Sequence, residues 1–281
     1  MKSKVNVIWY ILRYELLMNI RSKWVLGFSV GFALLVLGIS YFGLALIGYE
    51  VEFQDFYRTI ASLLNLAIYI IPVVALVMGV NSLCSERGEM DMLLSQPVSR
   101  TSVFVGKITG LFATMFISTM IGLGGAGIII ALKSGYDGIW KYLIFVFLCI
   151  AMAAVFLSLS GLVATLARKR AVALVITLLL WAFFVIFYDL VVFAISYYFV
   201  GERYLRTMLY FSLLANPIDV IRVLTLMIIG GAPALGPAGA GLIRQFGGVW
   251  AGIFLSIGII LVWIIVPLTA AVYAFKKRDV I

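Results

Sequence analysis

Apolar residues along the 281-residue chain fall into six long runs separated by short polar strips. The runs cover about Trp24 to Ile47, Ile60 to Leu83, Phe104 to Leu132, Ile139 to Ala167, Ala171 to Asp189 and Val249 to Phe275. A helix crosses hydrocarbon with about 20 residues at roughly 1.5 Å rise each. The pattern therefore predicts an all-α polytopic membrane protein, a single transmembrane domain over residues 1–281 with six transmembrane helices. The first run is longer than a signal-peptide core and lacks a small-residue exit, so it is expected to stay as an anchor.

Two polar-rich stretches depart from this rhythm. Over residues 1–23, Val5, Trp9, Leu12, Leu16 and Ile20 recur at helical spacing, with Lys4, Arg13, Glu15, Asn19, Arg21 and Lys23 on the other arc. This predicts an N-terminal interfacial helix lying on a leaflet. Over residues 201–248, Leu205 to Ile229 is long enough for a seventh span, but Asp219 and Arg222 would sit near mid-membrane at a cost of about 2.5–3.5 kcal/mol each. Two short external helices broken at Asn216-Pro217 are expected instead. Asn216 acts as N-cap, Pro217 takes the first helical position, and Asp219 near the positive helix end pairs with Arg222 three residues on. The glycine- and proline-rich Gly230 to Gly248 is not expected to form a regular helix; an external cap, a re-entrant segment and a mobile outer loop all fit it.

Composition agrees with the pattern: 64% of residues are hydrophobic and 12% charged, which no soluble domain matches. Cys84 and Cys149, 65 positions apart, make neither a disulfide framework nor a thiolate cluster and are read as packing residues. With no histidine in the chain, the commonest general base and metal ligand are missing, and no metal site is expected. The net charge of +9 changes the picture through its distribution. With both termini inside, fourteen of the 21 Lys and Arg fall on the inner side, including Arg168-Lys169-Arg170 and Lys276 to Arg278. This predicts cytoplasmic termini in a multi-pass plasma-membrane protein, and makes the basic excess a topology signal with no nucleic-acid partner implied.

The strip "CSERGEMDMLLSQPVSRTSVFVGK", Cys84 to Lys107, then faces the cytoplasm between spans two and three. From Glu86, the residues Met90, Leu93, Leu94 and Pro97 keep to one helical face, while Glu86, Arg87, Glu89, Asp91, Ser95 and Gln96 take the other positions. A short amphipathic helix stopped near Pro97 presents an apolar knob edged with charge. It suits either a groove on a soluble partner or a bed of lipid headgroups. "GLGGAG", Gly122 to Gly127, has the letters of a dinucleotide loop but lies in an apolar helix with no strand before it, so it is read as close helix packing, as are Gly27 and Gly31. No phosphate loop, nucleophile elbow or zinc-protease motif is present, so no catalytic or cofactor-binding residue is assigned.

The strip resembles the coupling-helix segment of the type-2 ABC exporter permeases through Glu86-Arg87, Leu93-Leu94, Pro97-Val98, Arg100 and Gly106-Lys107, and departs from it at Gly88 to Asp91. The likeness extends to the N-terminal helix, the six spans, "NPIDVIRVL" (Asn216 to Leu224) and "VPLTAAVYAFKKRDV" (Val266 to Val280), and is greatest to the NosY-type permeases. It implies a homodimer bound to separate ATP-binding subunits, which carry ATP and Mg. Residues 84–103 would be the cytoplasmic coupling segment, with Glu86, Arg87, Glu89, Met90, Leu93, Leu94, Pro97, Arg100 and Lys107 at the ATPase interface. Arg168, Lys169 and Arg170 would make a second contact, and Asn216, Pro217, Asp219 and Arg222 would position an external cap or a periplasmic-type partner. Two alternatives are a non-transporting subunit that relays motion to an external partner and a stand-alone secondary transporter, although the latter calls for mid-membrane ionisable residues or an inverted repeat.

Overall fold

A computed structural model describes residues 2–45, 53–84, 99–167, 169–199, 205–234 and 247–277. Among the described residues every regular element is a helix: α1 (Lys2–Ile20), α2 (Lys23–Ala45), α3 (Phe53–Leu83), α4 (Arg100–Leu166), α5 (Arg170–Ala182), a π turn (Phe183–Phe187), α6 (Tyr188–Tyr198), α7 (Leu205–Ala215), α8 (Pro217–Ala234) and α9 (Val249–Lys277). Five segments are long and apolar enough to cross a membrane: Phe56–Leu83, Arg100–Ile128, Gly138–Leu166, Arg170–Tyr198 and Val249–Lys277. The bent pair α1–α2 makes a sixth if it is counted as one broken span.

α4 contains two of these spans. Its ends are antiparallel, because the Tyr142 hydroxyl donates to the Leu123 carbonyl at 2.5 Å; in a straight helix those 19 positions would lie about 28 Å apart. The returning span is the centre of the bundle. Phe145, Cys149, Met152, Val155 and Phe156 along it are all fully enclosed, together with Leu63, Leu64, Ile68 and Ile71 of α3. Phe184 of the π turn stands edge-on between Phe156 and Trp263, with ring centroids 6.2 and 5.6 Å away, and so joins the fifth and last spans to this core. A smaller cluster of Val80, Leu83, Phe104, Ile108, Ala164 and Phe275 closes the end of the bundle where α3 stops and α4 begins. The last two spans are the least enclosed.

Four features differ from the sequence pattern. The fifth span continues past Asp189 to Tyr198, because the residues that follow are mostly apolar or aromatic and the Asp189 carboxylate stays half-exposed, 3.9 Å from Arg222. α8 runs through Gly230 to Ala234 before the described residues stop, since extending an existing helix through a glycine costs only about 1 kcal/mol. On α1, Glu15 is buried whereas Trp9 is 60% exposed, the reverse of the arcs expected from hydropathy; Glu15 finds polar partners on two other helices, described below. The glycine signals also divide. A Cβ on Gly122 would lie 2.5 Å from the Phe32 ring and one on Gly125 2.8 Å from Leu37, so "GLGGAG" does pack closely, against α2. Gly27 and Gly31 have nothing within 4 Å, so among the described residues they provide no close approach.

This contrast is testable. Gly122→Ala must displace a buried phenylalanine and is expected to cost about 1–3 kcal/mol, read as a lower melting temperature of the detergent-solubilised protein. Gly27→Ala is expected to be neutral or slightly stabilising in the same assay.

Candidate functional site

Two polar clusters interrupt the apolar bundle, one at each end of the spans. The first surrounds the last turn of α3. Glu15 of α1 and Lys107 of α4 are each only 5% exposed, and Lys107 Nζ lies 3.6 Å from Glu15 Oε2. The other carboxylate oxygen accepts from Ser82 Oγ and from Asn19 Nδ2, the latter at 3.0 Å. Lys107 Nζ also donates to the Ser82 carbonyl at 3.0 Å. Each charge therefore has both an opposite charge and a hydrogen-bond partner, without which burial would cost several kcal/mol.

Close backbone approach makes this pairing possible. Gly106 and Gly110 flank Lys107 on the face of α4 turned to α1, where a Cβ on Gly106 would lie 2.8 Å from the Ile11 side chain, and one on Gly110 2.7 Å from Glu15 Cβ and 3.0 Å from the Leu12 carbonyl. The neighbours of Ser82 are held as well. Asn81 Oδ1 accepts from Arg170 Nε and Nη2 at 3.1 and 2.9 Å, and Cys84 Sγ reaches the Ala164 carbonyl at 3.5 Å. The exit of α3 is thus attached to α1, both spans of α4 and the start of α5. At the entry of α4, Ser99 is the N-cap, its side chain accepting from the Ser102 N–H at 3.2 Å.

The second cluster is built on the α7–α8 break. Asn216 caps α8, its Oδ1 accepting from the Ile218 N–H at 3.0 Å. Its amide donates to the Phe184 carbonyl in the π turn at 3.0 Å and to Asp219 Oδ2 at 2.9 Å. Arg222 Nη1 lies 3.1 Å from Asp219 Oδ1 and 3.9 Å from Asp189 Oδ2. The Tyr188 hydroxyl donates to the Ser212 carbonyl, joining α6 to α7. Ile218, Val220, Ile221 and Leu224 are fully buried in the main core, so α8 is a fixed part of the bundle. The capping and the Asp219–Arg222 pair follow the sequence pattern; the attachment to the π turn does not appear in it.

The positions singled out in the sequence are distributed as follows. Glu86, Arg87, Glu89, Met90, Leu93, Leu94 and Pro97 lie outside the described residues, as does Arg168. Arg100 opens α4 and is half-buried; Lys169 and Arg170 are exposed at the start of α5. Lys107 is enclosed, and its ammonium faces Glu15 and Ser82, so any part it plays in docking a partner is indirect. Asn216, Pro217, Asp219 and Arg222 are gathered at one knee. Sequence reasoning missed Glu15, Asn19, Asn81 and Ser82 as site residues. A clue was available, because Glu15 is the only acid among the first 49 residues and Lys107 lies inside an apolar run.

Burial raises the Asp219 carboxyl from the ordinary 3.8 to about 6; Asp189 adds to the shift, and Arg222 and the Asn216 hydrogen bond offset part of it. The folded state therefore holds this proton more tightly than the unfolded chain. This contribution to stability is present below the ordinary value and is lost as pH rises from about 4 to about 6. Melting temperatures of wild type are expected to carry a decline over that window that Asp219→Asn removes. Asn216→Ala is expected to cost about 1 kcal/mol as a cap alone, and more in thermal melts because the Phe184 carbonyl loses its partner.

Comparison with known proteins places the sequence in one lineage. The family model for the ABC-2 family transporter proteins covers residues 9–280. A probable ABC transporter permease protein NosY of Pseudomonas aeruginosa is 32% identical over 265 residues, spanning 89% of this chain and 96% of that one. A probable ABC transporter permease protein NosY of Stutzerimonas stutzeri is 30% identical over 285 residues, spanning 98% and 99%. With the helical membrane bundle already established, the chain belongs to the ABC-2 family of transporter proteins and is a NosY-like permease.

Proposed function

We propose that this chain is the transmembrane subunit of an ABC transporter that pairs as a homodimer and receives its energy from two separate ATP-binding subunits. The near full-length match to two NosY permeases is the observation that carries this reading. In it, both termini, the link between α3 and α4, and the turn before α5 are cytoplasmic, as the distribution of Lys and Arg suggests. The α7–α8 knee is then on the outer side.

The amphipathic Glu86 to Gln96 strip is the docking element, and the Arg168 to Arg170 turn is a smaller second contact. Closure of the ATP-binding subunits around ATP and Mg displaces the strip, and the displacement passes into α3 and α4, changing access along the dimer axis. The work is either export of a cargo or maturation of a metalloprotein on the outer side. Relay to an external partner without transport is the second reading, favoured by the way Asn216 and Arg222 fix α8 to the fifth span as a rigid outer platform. An apolar, sulfur-containing, lipid or peptide cargo is compatible with spans so poor in charge.

Pull-down of the ATP-binding subunits encoded by the host tests the assignment. Wild type is expected to retain one specifically, Leu94→Asp to lose it by placing a charge on the apolar face, and Glu86→Ala to weaken it. The purified chain alone is expected to show no ATP turnover; measurable hydrolysis by the chain itself would contradict the reading. Deleting residues 230–248 separates the two readings: loss of partner activity with ATP turnover retained indicates relay, and unchanged behaviour indicates transport.

A further inference from the structure

Ser82 and Lys107 lie on either side of the link between α3 and α4, and both are engaged by one carboxylate from outside that hairpin, Glu15 of α1. The attachment is polar at a point where the backbones of α1 and α4 come close, with the Ile11 side chain against Gly106 and the Leu12 carbonyl against Gly110. An ion pair is not needed to hold such helices together, since an apolar set of similar volume stabilises as well or better. A charge pair does add direction. Oppositely charged groups in a low-dielectric site lose energy steeply when displaced, whereas apolar surfaces slide at little cost.

We infer that Glu15 is a positioning residue for energy coupling: it locks α1 in register with both roots of the α3–α4 link, so that α1, the end of α3 and the start of α4 move as one body. This rests on the proposed reading of that link as the ATPase-docking element. Three arrangements support it. The two ends of the link are joined to each other through Lys107 Nζ and the Ser82 carbonyl at 3.0 Å. α1 is brought to that joint by the only two glycines of α4's first eleven residues, one before Lys107 and one after it. Asn19, one turn along α1, holds the carboxylate through its side-chain amide at 3.0 Å and anchors to the Glu15 carbonyl at 2.8 Å, fixing the rotamer that faces Ser82 and Lys107. Displacement of the link then cannot bend α3 and α4 independently, and α1 follows both.

The test uses the full chain assembled with its ATP-binding subunit. Wild type is compared with Glu15→Gln, Lys107→Met and the double variant, for partner retention, melting temperature and ATP turnover relative to the ATP-binding subunit alone. Glu15→Gln leaves the Lys107 charge buried without its counterion, so it is expected to lower stability. The double variant removes both charges at similar volume and is expected to recover the melting temperature and to retain the partner. Its ATP turnover in the complex is nevertheless expected to stay about five- to tenfold below wild type, within the usual range of coupling between distant sites. A double variant that recovers both stability and turnover would show that the pair serves the fold alone and overturn the inference. A double variant that fails to fold sends the test to Gly110→Ala, which keeps both charges but pushes α1 away. Turnover at the wild-type level in a folded Gly110→Ala complex would equally overturn it. If wild type itself retains no ATP-binding subunit, the functional reading fails, and this inference with it; the two failures are distinguished by that control.

Discussion

A buried carboxylate organises one end of this protein. Glu15 is 5% exposed in a chain that is 64% hydrophobic, and a charge in that setting persists only if other groups come to it. Lys107, Ser82 and Asn19 do so from three helices, which sets where α1 lies, how α3 ends and how α4 begins. Gly106 and Gly110 follow from the same requirement, because the pair forms only where the backbones of α1 and α4 approach closely. Asn81 and Cys84, on either side of Ser82, extend the attachment to α5 and to the returning span of α4.

The opposite end solves a related problem by a different route. In the π turn of the fifth span the Tyr188 N–H reaches back to the Phe183 carbonyl, and an asparagine from another segment donates to the neighbouring Phe184 carbonyl. That asparagine is also the cap of α8, so the backbone irregularity and the helix start share one side chain. Arg222 adds a charged contact between α8 and the fifth span at Asp189. Together these groups hold two short helices to the bundle core without crossing it as a regular span.

Much of the architecture was legible in the residue pattern. Each long apolar run was found as helix over its described residues, with boundaries close to those expected apart from an extension of nine residues past Asp189 to Tyr198. The α7–α8 break was equally legible, because Asn-Pro followed by an acid is a local signal that needs no distant partner. Packing at Gly122 and Gly125 also followed, but the same signal at Gly27 and Gly31 did not, since small residues permit close approach without supplying a neighbour.

The sequence by itself determined that the chain is a helical membrane protein, where its main helices lie and how α8 is capped, because periodicity, run length and capping act within a few residues of one another. Only the tertiary structure decided which face of α1 is buried, that Lys107 turns inward to Glu15, 92 positions away, and that Asp189 lies within a helix. For Glu15 and Lys107 the hydropathy of the residue pointed toward water. A polar partner from a remote segment reversed that preference, and such partners are visible only once the chain has folded.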